Sequence, residues 1–392
     1  MINATTPFQL CTPTHLHIGE GTLANLPSLA AQLPTPILIL TGPRSTRHEP
    51  LWKSLSTLPA QHLIPLENQG EPTADHLQML TQTAREKGAR SVIAMGGGSA
   101  IDMGKALAAM LTNPQPLTTY LEIIGDAQPL DHPPAPMIAI PTTAGTGAEA
   151  TRNAVIAIPE ANVKVSLRHR SMIPDSVIVD PTLTLSTPPH ITAATGLDAL
   201  TQLIEALRSN RPHPLPDALC RSGLTQLANA LETAYHEGDH LRARSTMAYA
   251  ALLSGIALTH VGLGSVHGLA GPLGGRLGTP HGDICATLLP TAIQTNIHAL
   301  HERQPNHSAI AKYDEAAALI LNQPNANHHH LCDWIQEMLI NMRIPTLQQA
   351  GLTPDQFIPT LQQAQQATSM KCNPIELTQN ELNHLLEKEG SR

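Results

Sequence analysis

The chain has 392 residues, of which 41% are hydrophobic and 14% charged, and its formal net charge is −8. This length exceeds the usual limit of a single hydrophobic core and predicts two domains, while scattered basic residues in an acidic chain argue against a nucleic-acid partner. Aromatic residues make up only 2% of the chain, so its core is expected to be aliphatic.

The sequence predicts neither a signal peptide nor a membrane helix, and its cysteine spacing predicts no redox pair. The segment Met1–Leu10 lacks the basic and apolar regions of a signal peptide, and no apolar run approaches the ~20 residues that a membrane helix needs. The cysteines form no CxxC pair; they are Cys11, Cys220, Cys285, Cys332 and Cys372. We therefore expect reduced thiols in a cytoplasmic protein that neither spans a membrane nor binds nucleic acid.

Up to about residue 185, short apolar runs alternate with helical patterns. The apolar runs predict strands at Pro36–Leu40, Ser91–Met95, Met137–Ile140 and Ser176–Val179. Between them, Ala74–Lys87 and Ile101–Leu111 have the spacing of helices. This alternation predicts an α/β domain over residues 1–185, with a mostly parallel, Rossmann-like sheet that is covered on both faces.

The proline-rich and threonine-rich segment Pro181–Pro189 predicts the domain boundary. Beyond it the strand patterns fade and helical patterns follow at Ile191–Arg208, Leu215–His236, His240–Thr259 and Ile284–Ala299. An all-α C-terminal domain is therefore expected over residues 186–392. The run His328–His330 lies beside asparagine and proline, and we interpret it as an exposed, poorly ordered loop without a functional role.

A glycine-rich turn follows the second of these strands. The strand-like run Ala89–Met95 leads into Gly96–Ser99, and a helical pattern, Ala100–Met110, follows at once. A strand, a glycine turn and a helix start bring backbone N–H groups towards a phosphate. The segment is neither the G-x-G-x-x-G fingerprint nor a Walker A motif. From these residues alone, glycines that only permit a tight turn remain the alternative.

A second group of residues has the spacing of metal ligands. Asp198 and Gln202 lie four residues apart in a helical pattern, so that both side chains can face one point. His267 and His281 bracket a glycine-rich stretch further along. A carboxylate with two imidazoles suits iron(II), zinc or manganese better than calcium. Since the chain has 21 histidines, some such pairings arise by chance.

The motifs taken together resemble a known family. The segments Gly96–Asp102, Pro141–Glu149, Gly196–Asp198 and Pro280–Gly282 occur in the order found in the iron-containing (group III) alcohol dehydrogenase family. That family belongs to the superfamily of glycerol dehydrogenase and dehydroquinate synthase. The resemblance extends from near Phe8 to Asn373 and so covers nearly the whole chain. It implies a cytoplasmic homodimer that transfers a hydride between a nicotinamide cofactor and a small alcohol or aldehyde.

The resemblance also implies roles for single residues. The metal, Fe(II) or alternatively Zn, would be held by Asp198, Gln202, His267 and His281, and the first, third and fourth of these would be the catalytic residues. The residues that would bind NAD or NADP are Gly97, Gly98, Ser99, Asp102, Thr142, Thr143 and Lys164. Hydroxyl and backbone N–H groups suit a dinucleotide because they carry no competing negative charge. For Lys164, a solvated lysine at a strand edge remains the alternative.

The chain departs from the family pattern at three positions. Gln202 stands where a histidine ligand is usual, and a neutral amide oxygen is the weaker donor. Gly271 stands where a second histidine usually assists proton movement. After the strand at Ile37–Leu40 the family often has an acidic residue, whereas this chain reads Thr41–Ser45 with Gly42 and Arg44. The sequence is therefore compatible with NADP(H) as well as NAD(H).

Other interpretations of the sequence remain open at this stage. One is a metal-independent enzyme like maleylacetate reductase, although such a site has no need of the Asp198 carboxylate. A carbon–oxygen lyase of the dehydroquinate synthase kind is disfavoured, because it would need a phosphate-rich substrate pocket. A binding protein without catalytic activity on the same scaffold would account for Gln202 and Gly271.

Overall fold

The computed structural model describes residues 7–43, 45–161 and 163–389. The chain divides into two compact units. One, here the sheet unit, comprises the described residues of Cys11–Thr187 together with Gly238–Gly255. The other, the helical unit, comprises those of Met1–Leu10, Pro188–Glu237 and Ile256–Arg392. The segment Gly238–Gly255 thus groups with the sheet, although the sequence pattern assigns it to the C-terminal domain.

A fully parallel sheet organises the sheet unit. The strands are β1 His15–Ile18, β2 Ile37–Thr41, β3 Leu63–Glu67, β4 Ser91–Gly96, β5 Met137–Pro141, β6 Asn153–Ile158, β7 Val163–Arg168 and β8 Ser176–Val179. Among the described residues, six of them pair in the order β1-β8-β5-β4-β2-β3, with every pairing parallel. Strands β6 and β7 form a separate antiparallel pair.

The helices of this unit lie along the chain between the strands. They are α1 Leu26–Ala30, α2 Glu49–Leu55, α3 Ala74–Glu86, α4 Gly98–Thr112 and α5 Leu117–Tyr120. Every residue of β2, β4, β5 and β8 is buried, as expected for parallel strands covered on both faces. The core beside them is aliphatic and includes Ile39, Ile93, Ile138 and Ile178. The predicted Rossmann-like α/β region is confirmed.

The rest of the chain is helical. Its helices are α6 Pro189–Leu207, α7 Pro214–His236, α8 Leu241–Val261, α9 Ser265–Leu277, α10 His281–Arg303, α11 Ser308–Leu321, α12 His328–Asn341, α13 Phe357–Gln366 and α14 Gln379–Glu389. In the part of the chain that the structure describes, no strand follows β8, and the predicted helical region is confirmed. No single described helix is long and apolar enough to cross a membrane, and only α8 and α9 taken together pass that test.

A close approach of backbones explains why Gly238–Gly255 groups with the sheet. Gly147 adopts a left-handed conformation, with φ 59°. A side chain there would overlap the carbonyl oxygen of Ala251 and the backbone of Gly255. Only glycine at Gly147 and Gly255 lets the loop after β5 lie directly against α8.

The prediction of a disordered loop at His328–His330 is wrong. These residues form the first turn of α12. The Asn327 side chain accepts hydrogen bonds from the N–H groups of His329 and His330, and the His330 ring in turn accepts from the N–H of Asn327. This reciprocal cap starts the helix without the usual serine or threonine and glutamate.

Candidate metal centre and cofactor loops

The predicted metal ligands come from three helices of the helical unit. Asp198 lies in the middle of α6, His267 in the first turn of α9, and His281 is the first residue of α10. A side chain on Gly282 would overlap the Ala194 carbonyl group, so glycine there lets the start of α10 approach α6 closely. Local packing therefore brings the His281 ring towards the Asp198 carboxylate.

The structure brings these three side chains together and adds a fourth, Cys285. Oδ1 of Asp198 lies 3.3 Å from Nε2 of His267 and 3.9 Å from Nε2 of His281. The Cys285 Sγ lies 3.7 Å from the first of these nitrogens and 3.5 Å from the second. All four donor atoms lie within 4.8 Å of one another. Tetrahedral ligation at ordinary bond lengths would separate such atoms by about 3.3 to 3.6 Å, so the cluster has the dimensions of a metal site.

Gln202 occupies a different position from that of the four donors. Its side-chain Nε2 donates to Oδ2 of Asp198 at 3.3 Å, whereas both histidines face Oδ1. The observed contact of Gln202 is therefore with the carboxylate. It holds one oxygen of Asp198 and leaves the other directed at the histidines.

A buried carboxylate that the sequence analysis did not identify orients His267. Oε2 of Glu205 lies 2.7 Å from Nδ1 of the ring, and its side chain is fully buried. Because Nδ1 donates to Glu205, Nε2 is the ring atom that faces the cluster, where it can carry a proton or bind a metal ion; such a carboxylate is the usual support for a metal-binding histidine. Glu205 lies seven residues after Asp198, two helical turns along the same face of α6. That spacing was the signal that could have found it.

Glu205 is itself fixed from several sides. Its carboxylate accepts hydrogen bonds from Arg208 at 2.6 Å and from the N–H groups of Gly264 and Val266 at 3.0 and 2.9 Å. Asn373, more than a hundred residues away in sequence, accepts from Arg208 and from the N–H of Ser265. The first turn of α9 is therefore tied to α6 through buried charge-assisted bonds.

The charges in the cluster explain the protonation states of its members. Burial raises the pKa of Asp198, but the hydrogen bond from His267 and the charges of His281 and His267 outweigh it and lower the pKa. Burial works against the charged His267 ring, but Cys285, Asp198 and Glu205 raise its pKa well above the usual value. Burial raises the pKa of the Cys285 thiol to about 12. Without a proton, Oδ1 of Asp198 and Nε2 of His267 both present lone pairs, and they lie only 3.3 Å apart. A proton or a metal ion between them supplies the positive charge that holds them together.

The cluster is buried on one side and open on the other. The side chains of Asp198 and His267 are 2% and 6% exposed, whereas that of His281 is 36% exposed. At Gly271, where the family usually has a histidine, nothing lies within 4 Å of the position a Cβ would take. The part of the chain that the structure describes thus leaves room at Gly271, and Gly271 itself supplies no imidazole for proton transfer.

In the sheet unit, the predicted cofactor loops lie side by side. The N–H of Thr142 donates to the Gly96 carbonyl at 2.8 Å, so the ends of β4 and β5 are joined. Gly97 precedes α4, and no side chain within the described residues caps that helix. A Cβ on Gly97 would lie 3.3 Å from Oγ1 of Thr143, and one on Gly98 would lie 2.8 Å from Oγ1 of Thr146. Uncapped N–H groups beside threonine hydroxyls suit a pyrophosphate.

Two further predicted cofactor residues have partners within the sheet unit. Oδ1 of Asp102 pairs with the buried Lys105 at 2.9 Å, and its Oδ2 accepts from the N–H of Val155 at 3.0 Å. Lys164 pairs with Glu71 at 2.6 Å. The structure therefore gives Asp102 a role in joining α4 to β6, and it gives Lys164 an acidic neighbour that the sequence analysis did not anticipate.

The turn after β2 adjoins the glycine loop. Thr41 is paired in register with Met95, and Gly42 follows it. Nothing lies within 4 Å of the position of a Cβ on Gly42. Arg44, which the sequence analysis linked to NADP(H), lies outside the described residues.

Comparisons with known proteins agree with this geometry. The sequence model of the iron-containing alcohol dehydrogenases matches residues 13–181, and that of the C-terminal region of the Fe-containing alcohol dehydrogenase family matches residues 192–390. The 4-hydroxybutyrate dehydrogenase of Cupriavidus necator is 31% identical over 82% of this chain and 83% of its own length. A probable alcohol dehydrogenase of Salmonella typhimurium, EutG, is 33% identical over 80% of this chain and 76% of its own length.

Solved structures show the same relationship. A 1,3-propanediol oxidoreductase is 27% identical, with a TM-score of 0.86 over 98% of this chain and 100% of that one. The sulfoacetaldehyde reductase of Bifidobacterium kashiwanohense, solved in complex with NAD+, is 25% identical, with a TM-score of 0.85 over 98% and 99% of the two chains. The chain therefore belongs to the iron-containing alcohol dehydrogenase family and is a metal-dependent oxidoreductase that uses a nicotinamide cofactor.

Proposed function

We propose that this protein interconverts a small alcohol and its aldehyde, with NAD or NADP as the hydride carrier and a divalent metal ion at Asp198, His267 and His281. The observation that supports the proposal best is the convergence of the two histidines on one oxygen of Asp198, with a buried carboxylate behind His267. A catalytically silent protein would have no need of such a costly buried group.

Each residue of the metal centre has a distinct role. Asp198, His267 and His281 hold the ion, and Glu205 keeps the His267 ring in the orientation that ligation requires. When bound, the ion supplies Lewis-acid chemistry: it lowers the pKa of an alcohol oxygen and polarises a carbonyl group. The exposed side of His281 leaves an approach for substrate. Since Gly271 provides no imidazole, protons move through water, a cofactor hydroxyl or another group.

The cofactor is assigned to the sheet region, residues 1–185, and the metal to the helical region, residues 186–392. Backbone N–H groups of Gly97, Gly98 and Ser99 bind the pyrophosphate at the start of α4, with the Thr143 hydroxyl beside Gly97 and Thr142 joined to Gly96 through its backbone N–H; the hydroxyl groups of Thr142 and Thr143 contact the cofactor. Asp102 and Lys164 support these loops through their ion pairs with Lys105 and Glu71. The nicotinamide supplies the hydride chemistry, and the protein supplies its position.

Three further properties complete the proposal. The substrate is a short alcohol or aldehyde, and the similarity to a 4-hydroxybutyrate dehydrogenase adds short hydroxy acids to the candidates. The protein acts as a homodimer, for which family resemblance is the support. It works in the cytoplasm, which agrees with cysteines that form no disulfide among the described residues.

One assay tests the proposed function. Oxidation and reduction of NAD(H) and NADP(H) are followed with a panel of short alcohols, aldehydes and 4-hydroxybutyrate, with and without a chelator. We expect turnover that the chelator abolishes and added metal restores. Turnover that the chelator leaves unchanged would support a metal-independent reductase instead. Tight cofactor binding with no turnover on the whole panel would support a silent scaffold.

A further inference from the structure

The fourth member of the metal cluster is a cysteine. Cys285 lies one helical turn after His281 on α10, so that both side chains face the same point. Its thiol is fully buried, and its Sγ faces Nε2 of His267 and Nε2 of His281. A buried thiol in an apolar core packs as a small hydrophobe, but this one has two ring nitrogens and a carboxylate around it.

The distances from the Cys285 sulfur to the two ring nitrogens match those between ligands of one metal ion. Tetrahedral binding at ordinary metal–nitrogen and metal–sulfur lengths puts the two donor atoms about 3.5 to 3.6 Å apart. The Sγ lies 3.5 Å and 3.7 Å from the two ring nitrogens. The third partner, Asp198, presents the same Oδ1 atom to both rings.

Gln202 contacts the Asp198 carboxylate. Its amide nitrogen donates to Oδ2 of Asp198 at 3.3 Å, whereas Nε2 of each histidine lies nearest to Oδ1 among the contacts described. An amide nitrogen is not a metal donor, so this contact supports the carboxylate from outside the cluster.

We propose that Cys285 binds the metal as a thiolate and completes an Asp-His-His-Cys ligand set, in place of the histidine that Gln202 replaces; substrate would then have to enter as a fifth ligand, from the exposed side of His281. This inference rests on the proposed metal-dependent function. As the ion binds, two protons leave to solvent: that of the Cys285 thiol and the one that Nε2 of His267 shares with Oδ1 of Asp198. Asp198 and Cys285 together then neutralise the two positive charges of the ion. Because thiolate is a soft donor, the set binds zinc more tightly than iron(II).

Cobalt(II) provides the test, because a thiolate bound to it absorbs strongly in the near ultraviolet and imidazole or carboxylate does not. The metal-free native protein, Cys285→Ser, Cys285→Ala and Cys220→Ser are each titrated with cobalt(II). Cys220 is the matched control: it is also buried, but on α7 beside Asp217, Lys312 and Arg221. Metal content and the affinities for zinc and iron(II) are measured in parallel.

We expect the charge-transfer band in the native protein and in Cys220→Ser, and its loss in both Cys285 variants. Cobalt affinity should fall by at least about tenfold in those variants, since even the loss of an outer supporting group costs that much. A native protein that binds cobalt without the band would overturn thiolate ligation and leave the proposed function intact. A native protein that binds no metal at all would contradict both.

Discussion

The helical unit and the sheet unit prepare their candidate sites in different ways. In the helical unit, buried side chains hold one another: Asn373 fixes Arg208, Arg208 fixes Glu205, and Glu205 orients His267. In the sheet unit, backbone groups form the candidate site, because the glycines at the end of β4 leave the first N–H groups of α4 accessible beside threonine hydroxyls. The first arrangement is therefore sensitive to loss of a partner, and the second to the addition of atoms.

The largest effect is expected from removing a metal ligand. His267→Ala takes away the ring that joins Asp198 to Glu205 and leaves two buried carboxylates without it. We expect metal binding and turnover to disappear together while cofactor binding persists, because the sheet unit is untouched. Metal analysis, activity and cofactor titration of the same preparation check this. A variant that keeps full activity would remove His267 from the site.

The next effect comes from adding atoms to the cofactor loop. In Gly98→Val, even the first side-chain carbon would lie 2.8 Å from Oγ1 of Thr146, so Thr146 or the glycine loop must shift, and the larger side chain would also obstruct the proposed phosphate position. We expect the cofactor dissociation constant to rise by about a hundredfold with metal content unchanged. Gly42→Ala is the control, since its Cβ meets nothing within 4 Å. An unchanged constant for Gly98→Val would exclude this loop from the cofactor site.

Glu205 tests whether the hydrogen-bond chain behind the metal matters. Burial raises the pKa of Glu205, but Arg208 and His267 outweigh it and hold the pKa low, so the group is charged. Glu205→Gln puts an amide N–H₂ group among N–H donors, and we expect metal affinity to fall about 10- to 100-fold. The control is Glu302→Gln, an exposed carboxylate 3.3 Å from His298. Equal metal affinity in both variants would reduce Glu205 to a packing role.

The smallest effect concerns the choice of cofactor. Gly42 follows β2 and has open space where its side chain would be. In Gly42→Asp, the added charge would repel a 2′-phosphate, so KM for NADPH should rise about tenfold while KM for NADH changes little. Gly42→Asn has the same size without the charge. If Asp and Asn affect NADPH equally, the turn does not face the 2′-phosphate.

The comparison of the two regions also explains what the sequence could predict. The parallel sheet and the glycine loop were predictable because strand, turn and helix start are contiguous and each has a local pattern. Asp198, His267 and His281 were predictable as a set because each lies in its own short motif. The hairpin of β6 and β7 was missed, although β6 is apolar at five of its six positions and β7 alternates apolar and polar residues, which are both strand patterns.

The missing parts of the site depend on contacts between distant residues. Glu205 reaches His267 across 62 positions, and Asn373 reaches Arg208 across 165. No local pattern encodes such pairs, although the seven-residue spacing of Glu205 from Asp198 was visible in the sequence. The four-residue spacing of Cys285 from His281 on a helix was visible as well. The neighbours of the Cys285 thiol among the described residues became visible only from the packing of α6, α9 and α10.

If turnover requires a metal ion in the Asp198 cluster, a metal titration will show it. Metal-free protein is prepared by chelation, and zinc or iron(II) is added back in steps without oxygen while bound metal and nicotinamide-linked turnover are measured. We expect no turnover in the metal-free protein and a rise in turnover in proportion to bound metal that stops at one ion per chain. Full turnover of protein shown to contain no metal would contradict it.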